Sequence, residues 1–186
     1  GVGGAANLDN TGEDVNRTFA EQTSGTIYVA FILKTEAPNS AGYFLNLGQT
    51  NIGTIFFTRV WVNATGDGVG IGASAPTTYI PITVGTPTLI VVKLDYTSKI
   101  SSLYVFNSFP SSEPAVADAT FTETGTYDNV GSIALRQYNA AQRVIVDGIR
   151  VATTWDEAVN GVPPTWTAEY PKFSNVTPTS IDLTFN

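Results

Sequence analysis

The sequence predicts an all-β fold, a two-sheet antiparallel β-sandwich of jelly-roll type with one short helix near its C-terminal end. Three observations carry that prediction. Short runs rich in Val, Ile, Thr and aromatics recur between clusters of Gly, Pro, Asn and Ser, the pattern of strands bounded by turns. No segment keeps a helical period over three turns. Charged residues make up only 13% of the 186 residues, about half the usual share, which suits surfaces covered by Thr, Ser, Asn and Gly.

The strand runs cover residues 26–34, 43–47, 54–62, 69–73, 88–95, 102–106, 132–137 and 144–151. In the first, Tyr28 to Leu33 is apolar on both faces, as a strand in the middle of a sandwich should be. Arg59-Val60-Trp61-Val62-Asn63 instead alternates, which predicts one wet face. Turn chemistry separates the runs at Pro38-Asn39-Ser40, at residues 63–68 and at Tyr127-Asp128-Asn129. The helix is expected over 154–159, where the Thr154 hydroxyl precedes Asp156 and Glu157 in a first turn.

Size and composition narrow the functions. A chain of this length buries roughly two thirds of its unfolded surface and needs no disulfide. It has no Cys, Met or His. Ser-His-Asp and Cys-His catalysis, His- or Cys-ligated zinc and thiol redox chemistry are therefore excluded. With a net charge of -7 and only nine scattered basic residues, nucleic acid is not an expected partner. No apolar run approaches the ~20 residues that span a bilayer as a helix. The first residue is Gly1 rather than Met, which predicts that a signal peptide, propeptide or further domain is removed upstream.

Several segments in order resemble one family. They are Gly12-Glu13-Asp14-Val15-Asn16-Arg17-Thr18-Phe19, Ser24 to Phe31, Gly42-Tyr43-Phe44-Leu45, Arg59 to Val62, Leu89 to Lys93, Leu135-Arg136-Gln137 and Val146 to Trp155. Together they resemble laminin-G-like, concanavalin A-like jelly-roll domains of secreted bacterial surface proteins exported by the type IX route. The resemblance runs from about Gly1 to Trp155. It implies a non-catalytic module for glycan binding or surface adhesion, secreted or held at the cell surface. The expected division is a sandwich over 1–160, a linker over 161–171 and a tail over 172–186. That tail resembles the first strands of a fibronectin type III domain, and it reads equally as a strand that packs back on the sandwich.

The resemblance also implies a strand upstream of the glycine-rich opening, without which one sheet edge stands open. The tail positions Ile181, Leu183 and Phe185 alternate with polar residues, as an added strand would. A structural subunit of an extracellular filament, joined to copies of itself by this strand, is accordingly the alternative function. A polysaccharide-degrading enzyme is a second alternative. Glycosidases on this fold use a pair of carboxylates, and the expected Glu-x-Asp-x-x-Glu strand is missing from the sequence.

Candidate binding residues follow from side-chain chemistry. A sugar needs an exposed ring with polar groups around it. Trp61, Tyr79, Tyr138 and Trp166 are the aromatics least committed to a core. Tyr138 and Asn139 end a strand beside Gln137 and Gln142, so these four with Trp61 form the candidate glycan set. Calcium is the one ion expected, since hard oxygen ligands on loops suit it and laminin-G relatives often carry a site. Asp9, Asn10, Glu13, Asp14 and Asp67 are its candidates, and the competing, preferred reading of these acids is as ordinary solvated turn residues. Asp147 and Arg150 are either a ligand pair or local structure. Asn16, Asn63 and Asn175 head N-x-Ser/Thr triplets and are candidate glycosylation sites.

Overall fold

The computed structural model describes residues 4–138, 140–161 and, as backbone, 180–182. Its strands are β1 (Ala6–Leu8), β2 (Val15–Gln22), β3 (Thr26–Thr35), β4 (Gly42–Gly48), β5 (Phe56–Val62), β6 (Gly68–Ile71), β7 (Ile80–Pro81), β8 (Thr88–Asp95), β9 (Ile100–Phe106), β10 (Ala119–Thr122), β11 (Val130–Leu135), β12 (Val144–Ala152) and β13 (Ser180–Asp182), with α1 at Trp155–Val159. Every pairing is antiparallel. Sheet A runs β1-β12-β3-β8-β9-β10, with β13 also on β12, and sheet B runs β2-β11-β4-β5-β6-β7.

The two-sheet prediction holds, and each predicted run contains a strand. The ends moved for local reasons. The run at 69–73 stops at Ile71, because the Gly72 and Ala73 carbonyls turn out to meet the Trp61 indole and the Arg59 guanidinium. The run at 132–137 ends at Leu135, after which only the Arg136 amide continues the ladder, donating to the Phe44 carbonyl at 2.8 Å. The runs missed β1, β2, β7 and β10, all short or at an edge, while β13 falls in the expected tail strand.

The main core lies between the sheets. Along β3 the odd positions Ile27, Val29, Phe31 and Leu33 face Phe44, Leu45 and Leu47 of β4 and Phe57, Val60 and Val62 of β5. The even positions Tyr28 and Ala30 face outward, yet they are buried too. With Leu89, Val91 and Tyr104 they meet Trp155, Ala158 and Val159, so that α1 covers the outer side of sheet A. Trp155 packs edge-on against Tyr28, Tyr104 and Phe106 at 6.1, 5.3 and 6.0 Å. Thr154 caps this helix, its hydroxyl accepting from the Glu157 amide at 3.3 Å, with Asp156 and Glu157 in the first turn where the helix dipole favours them.

Two bulges keep the core in phase. In β12 the register slips between Asp147, opposite Ile32, and Arg150, opposite Ala30, so that Val144, Val146, Ile149 and Val151 all point inward. The extra residue is Gly148 at φ 61°, a left-handed position that glycine takes without strain. Asp147 and Arg150 flank this bulge. Asp147 accepts from the Gly148 amide and Arg150 donates to the Gly161 carbonyl, both at 2.7 Å, which are structural duties. In β5 the second bulge is Thr58, at φ 52°.

One side of β12 carries two strands. β1 pairs with residues 144–146 and β13 with Arg150, Val151 and Ala152 of the same chain. Ile181 is the middle residue of β13. Leu183, Phe185, Trp166 and Asn175 lie outside the described residues, as does the linker beyond Gly161.

Candidate functional site

The bulge at Thr58 shapes the outer face of sheet B. Phe57 and Thr58 both point inward, and Val60 and Val62 follow them. Phe56, Arg59 and Trp61 are left together on the opposite, half-buried side. On the neighbouring strand Tyr43 shares that side, and beyond it lie Arg136 and Tyr138, just past the end of β11. The result is a strip of rings and guanidinium groups across three adjacent strands.

Tyr43 is its centre. Its ring meets Trp61 at 5.4 Å, near edge-on, and Phe56 at 6.5 Å. The Arg136 guanidinium lies over the Tyr43 ring at 4.3 Å and over the Tyr138 ring at 4.5 Å. Arg59 approaches Tyr43 at 5.4 Å and Phe56 at 5.8 Å. Contacts of this kind attract the cation to the ring quadrupole. Tyr138 is the outermost ring, 41% exposed. It sits directly on Gly42, where an added Cβ would meet its Cδ1 at 2.6 Å, so any larger residue there must push the ring away. The loop after β6 walls the other end. The Trp61 Nε1 donates to the Gly72 carbonyl at 2.7 Å and Arg59 donates to the Ala73 carbonyl, while Pro76 and Tyr79 cover Gly70, the register partner of Trp61.

Of the candidate glycan set, the structure brings Trp61 and Tyr138 to one face, joined through Tyr43 and Arg136. Gln137 is engaged elsewhere. Its Oε1 accepts from the Asn10 amide at 2.7 Å, and its own amide donates to the Asp14 carboxylate at 2.7 Å. Gln142 is fully buried, its Oε1 accepting from the Tyr138 amide at 3.2 Å, so it positions Tyr138 rather than facing solvent. Asn139 lies outside the described residues. Sequence reasoning missed Phe56, Tyr43, Arg59 and Arg136 as site residues. A period of two would have found the arginines, since Arg59 precedes Trp61 and Arg136 precedes Tyr138 by two positions.

The calcium candidates occupy separate turns. Asp9 accepts from the Thr11 hydroxyl at 2.6 Å and its amide at 3.1 Å, and these bonds hold its carboxyl below the usual range. Asp67 is lowered in the same way by Thr65 and then Asn63. Asp14 is tied to the Gln137 amide, and Glu13 is exposed beside it. Among the described residues no three acidic side chains converge as a metal site. Of the glycosylation candidates, Asn16 is exposed on β2, whereas Asn63 uses its amide nitrogen to bind Asp67 at 2.7 Å.

Two glutamates are held within the frame. Glu113 accepts from Lys93 at 2.7 Å, Tyr28 at 2.8 Å and Tyr104 at 2.9 Å on the outer side of sheet A. Burial, the Glu113 hydrogen bond and its charge push the Tyr104 hydroxyl up to about 12. Glu123 is buried near Thr58 and Ser101.

No protein-family model matches the sequence, and no curated protein matches it. Solved structures do match in shape. A sialidase is 12% identical with a TM-score of 0.54, over 78% of this chain and 14% of its own. The galectin LEC-6 of Caenorhabditis elegans is 14% identical over 78% of this chain and 95% of its own, with a TM-score of 0.49. The pentraxin of Limulus polyphemus is 16% identical over 74% and 68%, with a TM-score of 0.47. The chain is a jelly-roll β-sandwich. At these identities the likeness is one of fold, and this chain spans only a small part of the sialidase.

Proposed function

We propose that this chain is a non-catalytic extracellular binding module that holds a polysaccharide or cell-surface glycan on the outer face of sheet B. The strip Trp61–Tyr43–Arg136–Tyr138 carries the reading. Sugar rings have apolar faces that stack on aromatics and polar edges that need fixed donors, and the strip supplies both within one surface. The low charge content and the absence of Cys fit a secreted or cell-surface setting.

Affinity electrophoresis through a panel of polysaccharides tests the proposal. Tyr138→Ala removes the exposed ring and is expected to weaken retention about tenfold, the equivalent of ~1.4 kcal/mol. Gly42→Ala deletes no ring but lifts Tyr138 from its seat, and should weaken retention in the same direction. Full retention by both variants would move the site off this face.

A second, structural reading draws on β13. Its three backbone pairings to β12 show that the tail complements this edge, and the same pairing made between copies would join them head to tail. Solution mass decides it. An oligomer that dissolves on deleting residues 172–186 supports the filament reading, and a monomer at high concentration dismisses it.

A further inference from the structure

We propose that the sugar read by this face carries a carboxylate, and that Arg136 receives it through a two-pronged hydrogen bond. The inference rests on the glycan reading of the same face and names its ligand class. It starts from the geometry of one guanidinium. Arg136 lies over Tyr43 at 4.3 Å and over Tyr138 at 4.5 Å, so two rings hold one guanidinium. Its five N–H donors form a planar fork that neither ring can satisfy as a carboxylate would. Lys34 and Lys93 are paired with Glu36 and Glu113, whereas the Arg136 side chain has no carboxylate or carbonyl partner among the described residues. An unpaired planar fork matches a carboxylate in both shape and charge, and an ammonium would not match it as well.

A second cation points the same way. Arg59 adds a second guanidinium beside Tyr43, and its Nε is buried without a partner. Two cations gathered on one face of a chain of net charge -7 favour an anion there.

The test compares polygalacturonate, the same polymer after carboxyl reduction, and dextran sulfate, each against the full chain and its Arg136→Gln and Arg136→Lys variants. The unmodified chain should retain polygalacturonate and lose most of that affinity for the reduced polymer. Arg136→Gln should fall roughly ten- to a hundredfold on polygalacturonate, as expected for losing hydrogen bonds to a charged group. Arg136→Lys should also lose most of it, because it keeps the charge and not the fork. Near-ultraviolet circular dichroism confirms that both variants are folded. If the reduced polymer binds as tightly and Arg136→Gln changes nothing, the acidic ligand is wrong while the glycan reading stands. If Arg136→Lys binds fully and dextran sulfate equals polygalacturonate, the site reads charge alone and the carboxylate fork is overturned. If none of the three polymers is retained, the carboxylate inference is overturned, and a neutral-glycan panel that is also blank overturns the glycan reading with it.

Discussion

Replacing Phe44 with alanine is expected to lower the unfolding free energy by about 3–5 kcal/mol, the usual cost of deleting a buried phenyl ring and leaving its cavity. Phe44 has no solvent exposure and meets Phe31 edge-on at 6.1 Å, so the contact joins the two sheets at the centre of the core. For a chain of this length that loss lowers the melting temperature on the order of 10 °C. Phe109 is the control. It is 66% exposed, and its replacement by alanine should stay within about 0.5 kcal/mol. Equal effects from the two substitutions in urea unfolding would mean that the sheets do not close on each other at Phe44.

The second large effect belongs to Glu123. Its Oε1 accepts from the Thr58 amide at 2.8 Å and the Ser101 hydroxyl at 2.7 Å, and so links sheet B to sheet A across the bulge. Both donors are buried, and Thr58 and Ser101 also bond each other at 2.9 Å. Glu123→Ala strands them and should cost about 2–4 kcal/mol, since each abandoned buried donor costs about 1–3 kcal/mol. Glu123→Gln keeps an acceptor and should lose far less.

The pH dependence separates Glu123 from Glu113. Burial raises the Glu123 carboxyl above its ordinary value of 4.5, more than its hydrogen bonds lower it. The folded state therefore holds that proton more tightly than the unfolded chain does. The resulting stability is fully present below 4.5 and is lost as pH rises through the raised value. For Glu113 burial also acts upward, but the bonds from Lys93, Tyr28 and Tyr104 outweigh it and leave the carboxyl lowered. Its contribution is present above 4.5 and is lost as pH falls through the lowered value. Urea unfolding across acid and neutral pH should show Glu123→Gln gaining on the unmodified chain as pH rises. Glu113→Gln should lose most at neutral pH and recover towards acid. The same sign for both would contradict these environments.

Much of the frame was legible because burial writes a period into the sequence. Residues 28–33 are apolar on both faces, and the structure covers both. Arg59 to Val62 alternate, and the structure wets one side. The β2 strand escaped because an edge strand buries little: of its eight residues only Phe19 packs on the core, too sparse for a period. The aromatic strip was half legible for a different reason. Trp61 and Tyr138 stand out as rings beside polar groups, but their union depends on β4 lying between β5 and β11, and strand order is not written in local pattern. Gln142 shows the converse error. As a polar residue in a loop it reads as a surface group, until the fold turns its oxygen onto the Tyr138 amide.

The covering of sheet A by α1 divides the molecule in its motions as well as its layers. Opening β3 or β8 would bare apolar surface on two sides at once, whereas β2 releases one phenyl ring. Local opening free energies should therefore be high in β3 and β8 and low in β2, and amide protons should exchange last in the first two and early in the third. The proposed binding strip reaches β11, the neighbour of β2. A ligand held there as proposed would still that edge, and its binding should be recognised as much by slowed exchange in β2 as by the contacts themselves.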